Sequence, residues 1–151
     1  MEPIKKDSML KYVFLNLITA GIYHIMFMNK MGKYVNEICR GDGKAIRSYV
    51  CAKVLGNILA FSGIVGMFIS AKALALLIFA LPFVLYIRYW YYMIGDRMQK
   101  KAVDYGFKLT ESGMDLLILS IIPLGTTLFI PTILVDNMNK FARIFNREMK
   151  G

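Results

Sequence analysis

Four stretches without a single Asp, Glu, Lys or Arg dominate this 151-residue sequence. They cover residues 12–29, 54–71, 73–87 and 116–135, and they are 18, 18, 15 and 20 residues long. A helix needs about 17–25 apolar residues to cross the hydrocarbon core of a bilayer. Three stretches have that length, and the third reaches it if Arg88 extends its charged end to the headgroups. A chain this short, with 57% hydrophobic residues, has too little polar surface to cover four such helices. We therefore expect an all-α integral membrane protein.

The whole chain, residues 1–151, is expected to form one membrane domain. Its four hydrophobic segments, numbered one to four, should lie at about residues 9–29, 52–71, 73–95 and 114–135. A basic amphipathic helix is expected at 134–150, with apolar residues at three- and four-residue spacing and Lys140 and Arg143 opposite them. Such a helix suits the surface of an anionic membrane.

Two arrangements of these segments are open. In the first, all four segments cross as a transmembrane bundle. In the second, segments two and three cross, and segments one and four enter the membrane and turn back as re-entrant or interfacial hairpins. Gly21 lies near the middle of segment one, and Pro123 and Gly125 lie near the middle of segment four, where the second arrangement needs breaks. Such turns expose backbone groups, which must be covered by protein or a water-filled cavity.

The distribution of basic residues favours the arrangement with two hairpins. Lys and Arg collect in the short cytoplasmic loops of membrane proteins. If all four segments cross, eight of the 19 Lys and Arg residues lie on one side and eleven on the other. If segments one and four turn back, every basic residue except Lys72 lies on the same side, which is then predicted to be cytoplasmic.

Small residues line one side of segment two at helical spacing. Gly56, Ala60 and Gly63 share a face with Ala52, and Gly66 belongs to a neighbouring row. In lipid, small residues at this spacing let helix backbones approach closely. The pattern predicts tight packing, either against another helix of the same chain or against a second subunit.

Four polar residues fall within or at the ends of the apolar segments: Asn16, His24, Asn57 and Arg88. Polar groups inside a membrane are costly and are candidates for function. For His24 an interhelical hydrogen bond is favoured over a role in proton or ion movement, since the nearby sequence offers no second histidine or carboxylate. Asn16 and Asn57 are expected to bond across helices. Arg88 is expected to reach the headgroups from within an aromatic belt at residues 86–92.

A short motif surrounds Gly21. Residues 18–23 read Ile-Thr-Ala-Gly-Ile-Tyr, and an aromatic residue, a lysine and an asparagine follow at Phe27, Lys30 and Asn36. This pattern resembles a family of small prokaryotic membrane proteins that is catalogued as a domain of unknown function. Its members often carry Trp where this chain has Phe27. The resemblance implies a prokaryotic membrane protein and brings no known activity.

No pattern of catalytic, cofactor-binding or metal-binding residues stands out, so we expect no enzyme, no cofactor and no metal. The net charge is +9, and the basic residues flank the hydrophobic segments. This placement indicates anionic lipid headgroups rather than nucleic acid as the partner. We expect a cell-membrane protein that acts by helix packing, as a scaffold, accessory subunit or immunity-type partner. It would associate with itself or with another membrane protein. The alternative is an oligomeric channel or transporter for ions or small solutes.

Overall fold

The structure, a computed structural model, describes residues 9–19, 21–40, 49–122 and 125–148. Helices make up most of this part of the chain. They are α1 (Met9–Ile18), α2 (Ile22–Ile38), α3 (Tyr49–Met67), α4 (Leu74–Asp104), α5 (Gly113–Ile121) and α6 (Ile130–Glu148). A 3₁₀ turn at Ala71–Ala73 precedes α4, and a π-helical turn at Gly125–Phe129 leads directly into α6.

Segment one is divided at Gly21 into two helices. Gly21 has a φ of +90°, in the left-handed region that favours glycine, and it ends the run of α1. Thr19 secures both sides of this break. Its hydroxyl donates to the carbonyl oxygen of Leu15 at 2.8 Å and accepts the backbone N–H of Tyr23 at 2.9 Å. The second bond satisfies an N–H group in the first turn of α2 that would otherwise lack an intrahelical partner.

The break reverses the chain, so that α1 packs back onto α2. In a continuous helix, residues 12 and 24 would lie about 18 Å apart along the axis. Here the hydroxyl of Tyr12 lies 2.6 Å from Nδ1 of His24, and the rings of Tyr12 and Phe27 are 4.7 Å apart. Gly21 therefore lies at the tip of a short helical hairpin.

The small-residue face of segment two packs against α4 of the same chain. A methyl group at Gly56 would lie 3.0 Å from Cβ of Phe83, and one at Gly63 would lie 2.7 Å from the Leu77 side chain. Gly66 is equally close to Ala73, whereas Ala60 is half-buried. These pairs step in opposite directions along the two helices, so α3 and α4 form an antiparallel hairpin whose backbones lie close together.

Helix α4, which corresponds to segment three, extends further than the sequence predicted. Segment three was expected to end near residue 95 and to be followed by a charged loop or short helix, yet α4 continues to Asp104. The reason is an inward stripe at helical spacing that runs past the apolar stretch and includes Ile94, Met98 and Ala102, all buried. Lys100 and Asp104 in this half lie on the outer face of the same helix, whereas Arg97 is buried.

Helix α5 crosses α4 at two glycines. A methyl group at Gly95 would lie 2.7 Å from Cα of Gly113, and one at Gly113 would lie 2.5 Å from the backbone oxygen of Tyr92. The start of α5 is fixed by a capping box, in which Ser112 and Asp115 bond to each other's backbone N–H groups. Hydrogen bonds from the backbone and side chain of Ser112 lower the pKa of the Asp115 carboxyl.

The C-terminal amphipathic helix begins earlier than predicted, at Ile130, and its apolar stripe is not free to meet a membrane. Leu134, Met138 and Phe141 are almost fully buried in the protein. The ring of Phe141 lies 4.9 Å from that of Phe107, in the loop after α4. The sequence pattern identified the apolar face correctly, but the face packs against the protein's own core.

Two helices in the described part of the chain are long and apolar enough to cross a membrane. They are Tyr49–Met67 and the continuous helical stretch Ala71–Asp104. In the most apolar 18 residues of each stretch, only 17% and 11% of the residues are buried in the protein, unlike the core helices of soluble proteins. Helices α1 and α5, with ten and nine residues, are shorter than a single crossing requires.

Replacing Gly21 by alanine should lower the free energy of unfolding by about 1–2 kcal/mol, because an L-residue with a Cβ is strained at positive φ. No atom lies within 4 Å of the added methyl group, so the cost is conformational rather than steric. Gly21→Asn should cost less, since asparagine tolerates this region. Thermal unfolding followed through Trp90, the single tryptophan, measures both variants. Equal losses in the two would contradict the conformational explanation.

Gly95→Ala should destabilise the protein by about 1–3 kcal/mol, because the new methyl group meets the backbone of α5 and forces the two helices apart. Val103→Ala removes exposed methyl groups from the same helix and serves as the control, with an expected change within about 0.5 kcal/mol. The unfolding midpoints of both variants can be compared in one detergent. An unchanged midpoint for Gly95→Ala would show that the crossing is not closely packed.

Candidate functional site

A buried chain of hydrogen bonds connects the first four helices, and each helix contributes one residue. We call it the hydroxyl–imidazole chain: Tyr12 (α1), His24 (α2), Tyr49 (α3) and Tyr91 (α4). The Tyr12 hydroxyl lies 2.6 Å from His24 Nδ1, and the Tyr49 hydroxyl lies 3.3 Å from His24 Nε2. The hydroxyls of Tyr49 and Tyr91 are 2.9 Å apart. All four side chains are at most 5% exposed.

His24 is neutral in this environment. Burial, together with the nearby ammonium group of Lys53, lowers the pKa of His24 to about 4. A neutral imidazole has one donor and one acceptor nitrogen, which matches a hydroxyl on each side of the ring. If Tyr12 donates to Nδ1, then Nε2–H donates to Tyr49; the chain can also run in the opposite direction. Both ring nitrogens are therefore satisfied, as a buried polar group requires.

Aromatic rings enclose the hydroxyl–imidazole chain. The ring of Trp90 lies 4.7 Å from that of Tyr49, and Phe27 packs on Tyr12 at the same distance. This arrangement changes the interpretation of residues 86–92, which the sequence suggested form an aromatic belt at headgroup level. Trp90 and Tyr91 are completely buried in the protein, and within this stretch the exposed aromatic ring is that of Tyr89.

Asn36 of the motif and the nearby Cys39 attach α2 to the second half of α4. Nη1 of Arg97 donates to Oδ1 of Asn36 at 2.6 Å, and the thiol of Cys39 donates to the backbone oxygen of Arg97 at 3.7 Å. Because His24 lies level with Tyr91 and Asn36 with Arg97, α2 runs in the same direction as α4. The tip of the α1–α2 hairpin therefore points towards the first half of α4, which exposes its apolar residues.

Beside the hydroxyl–imidazole chain lies a pair of cations, Lys53 of α3 and Arg88 of α4. The two groups are close enough to repel each other. The charge of Arg88 also interacts with the hydroxyl groups of Tyr49 and Tyr91. Both side chains are partly buried. Nη1 of Arg88 is buried without a hydrogen-bond partner, and no ion pair involves either cation within the described residues.

Within the described residues, neither asparagine makes the interhelical bond that the sequence suggested. Asn57 lies on the exposed face of α3, turned away from α4, because the small residues occupy the packed face. Oδ1 of Asn16 is buried with no partner in the described part of the chain. Gly125 is buried at the start of the π-helical turn, and Pro123 lies outside the described residues. The structure thus places His24 within the hydroxyl–imidazole chain and Arg88 beside Tyr49 and Tyr91, but it leaves Asn57 apart.

A cleft of about 410 Å³ opens between α2 and the start of α3. It is lined by Tyr23, Met26, Phe27, Asn29, Lys30, Lys33 and Val50. The lining is apolar towards the hairpin tip and basic one to two turns further along α2. Such a gradient suits an amphipathic molecule better than a polar substrate.

Sequence reasoning missed Tyr12, Tyr49, Tyr91 and Lys53. Tyrosine is common both at membrane interfaces and in cores, so its identity alone does not indicate a buried hydrogen bond. One signal was present for Lys53. It lies between Ala52 and Gly56, just where the apolar run begins, so it had to sit at the edge of the packed face.

A family model described as a domain of unknown function, DUF4234, matches residues 7–100. The chain belongs to the DUF4234 family. The DUF4234 region contains α1 to α3 and most of α4, and with them the whole hydroxyl–imidazole chain and the pair of cations. Helices α5 and α6 lie beyond it. Comparisons with curated proteins and with solved structures gave no match.

Tyr12→Phe should lower the free energy of unfolding by about 1–3 kcal/mol, because it leaves Nδ1 of the buried His24 without its partner. Tyr89→Phe is the matched control, since that hydroxyl belongs to an exposed ring. We expect the control to change stability by less than about 0.5 kcal/mol. Denaturant unfolding in one detergent measures both, and equal effects would mean that the His24 bond adds nothing.

Proposed function

We propose that this DUF4234 protein is a prokaryotic multi-pass membrane protein that acts without catalysis, by packing against itself or another membrane protein as a scaffold or accessory subunit. In the proposed topology, α3 and residues 74–88 of α4 cross the bilayer as a hairpin. The α1–α2 hairpin and the α5–α6 pair enter the membrane from one side and turn back. The resemblance to prokaryotic membrane proteins supports the cellular context.

The observation that carries this proposal is the exposed apolar surface of the α3–α4 hairpin. Phe61, Phe68 and Phe79 are between 66% and 89% exposed, and their neighbours on both helices are exposed aliphatic residues. Soluble monomers rarely expose continuous apolar patches of more than a few hundred Å². A bilayer would cover this surface without further protein.

The tips of the α1–α2 and α5–α6 pairs also expose apolar residues, over a smaller area than the α3–α4 hairpin. Leu17, Ile18 and Ile22 around the turn at Gly21 are each more than 60% exposed. Ile121 and Phe129, on the two sides of residues 123–124, are also exposed. Helix α1 is about 15 Å long, half the thickness of the hydrocarbon core. These features support partial entry of both pairs into the membrane.

The charge distribution supports the same topology. With α3 and residues 74–88 as the crossings, every Lys and Arg except Lys72 lies on one side of the membrane. Lys72 lies in the exposed turn between α3 and α4. Under the positive-inside rule, this distribution supports entry of the remaining helices from the cytoplasmic side.

A role in packing fits the polar groups of the core better than a reaction does. His24 and the three tyrosines are engaged with one another, and they hold four helices together instead of presenting a free nucleophile or base. We place the alternative, an ion or solute pathway, second. Its candidate lining residue Asn57 faces outwards from the hairpin.

The topology can be tested by cysteine labelling in intact cells. With Cys39 and Cys51 replaced, single cysteines are placed at the exposed positions Lys11, Arg40, Lys72 and Asp104. We expect Lys72→Cys alone to react with a membrane-impermeant maleimide, and the other three to react only after the membrane is opened. Opposite behaviour of positions 11 and 40 would show that segment one crosses, contrary to the proposal.

Labelling at two further positions shows whether the hairpin tips lie in lipid or in water. Ile18→Cys and Phe129→Cys lie on exposed surface, yet lipid should shield them from a polar maleimide even in opened membranes. They should react once detergent replaces the lipid. Rapid labelling before detergent is added would place both tips in water.

The packing role itself predicts a stable assembly, or a co-purifying membrane protein, after mild solubilisation; a monomer without a partner would contradict it.

A further inference from the structure

Lys53 and Arg88 present an electrostatic problem that the described part of the chain does not solve. Two cations on neighbouring helices, both partly buried, repel each other without an acidic neighbour among the described residues. The nearest described ion pairs, such as Lys100 with Asp96, lie further along α4. A buried donor without a partner, here Nη1 of Arg88, carries a desolvation cost. An anion between the two cations would remove both penalties.

The position of the pair in the hairpin indicates where that anion comes from. Gly56 faces Phe83 and Tyr49 bonds to Tyr91, so Lys53 and Arg88 lie level with each other between these contacts. Each lies about 21 Å along its helix from the end next to the turn. With the turn and its Lys72 at the opposite surface, this distance spans most of a hydrocarbon core of about 30 Å.

The pair therefore lies at the level of lipid headgroups in the leaflet on the basic side. Above it towards the turn, both helices expose apolar residues; beyond it, Trp90 and Tyr91 are buried in protein. A guanidinium group binds phosphate with two parallel hydrogen bonds, and an ammonium group adds a point charge. Arg88 and Lys53 supply one of each.

We propose that Lys53 and Arg88 together bind the phosphate group of an anionic phospholipid of the inner leaflet. This site rests on the proposed membrane insertion of the α3–α4 hairpin. The bound lipid would neutralise the two cations and connect α3 to α4 next to the hydroxyl–imidazole chain. Lipid of the right charge then becomes part of the folded structure.

The test compares thermal unfolding in nanodiscs of phosphatidylcholine with unfolding in nanodiscs that also contain phosphatidylglycerol. The wild type should unfold about 3–6 °C higher with phosphatidylglycerol, the shift expected from charge-assisted hydrogen bonds in a chain of this size. Lys53→Gln and Arg88→Gln should each lose most of that shift. Lys108→Gln, an exposed cation outside the hairpin, should retain it.

Phosphatidylcholine alone provides a second sign. There Lys53→Gln should unfold at the same temperature as the wild type or higher, because the choline cation offsets the charge of the lipid's own phosphate and removing one protein cation relieves the repulsion. A variant that is simply misfolded would unfold lower in both lipids, and Lys53→Arg, which keeps the charge, should keep the response. An equal response of wild type and both Gln variants to phosphatidylglycerol would overturn the proposal.

Two further experiments test other sources of the anion. Inorganic phosphate, added to phosphatidylcholine nanodiscs at matched ionic strength, should not reproduce the shift; a rise as large as that with phosphatidylglycerol would identify a soluble anion instead. The acidic residues Glu2, Asp7 and Asp42 lie outside the described part of the chain. A lipid response seen only after their neutralisation would show that one of them fills the site.

The outcome also separates this site from the proposed function. A protein that enters phosphatidylcholine nanodiscs but ignores phosphatidylglycerol keeps the membrane topology and loses only the lipid site. A protein that enters neither kind of nanodisc loses both.

Discussion

The fold depends on satisfying one imidazole ring in an apolar interior. His24 needs a partner on each ring nitrogen, and both partners come from other helices: Tyr12 from α1 and Tyr49 from α3. Tyr12 can reach the ring only if the chain reverses at Gly21. Tyr49 can reach it only if α3 begins beside α2, where its hydroxyl also meets Tyr91. A buried polar group without its bonds is costly, so this layer selects one arrangement of four helices from the many that apolar packing alone would permit.

Glycines set the distances that these bonds require. Gly56 and Gly63 bring α3 close enough to α4 for the hydroxyls of Tyr49 and Tyr91 to form a hydrogen bond. Gly95 and Gly113 allow a similarly close approach of α4 and α5. Apolar surfaces in lipid do not attract one another as they do in water, so close backbone contact and hydrogen bonds must hold the helices together. The DUF4234 match contains the first pair of glycines and the whole hydroxyl–imidazole chain, and it ends near Arg97.

The sequence predicted the parts of this structure that follow from local patterns. The charge-free runs and their helical spacing indicated the helices, and the small residues indicated the packed face of α3. The internal positions followed less well. Residues 86–92 carry aromatic side chains on every face, so their pattern could not show that Tyr91 is buried and Tyr89 exposed. Likewise the partner of His24, twelve residues away, depends on a reversal that a single glycine only suggests.

The level of Lys53 and Arg88 is where helix α4 changes its surroundings. Between Lys72 and Arg88 the helix has no charge and exposes apolar residues over about 24 Å, a length suited to hydrocarbon once the long side chains extend to the headgroups. From Trp90 onwards one face of the same helix, which includes Ile94 and Met98, is covered by protein. Because the hydroxyl–imidazole chain lies at this transition, the interactions that hold the helices together would, in the proposed topology, also fix the depth at which the cations meet the membrane surface. In that topology one layer of the molecule would set both the core packing and the position in the membrane.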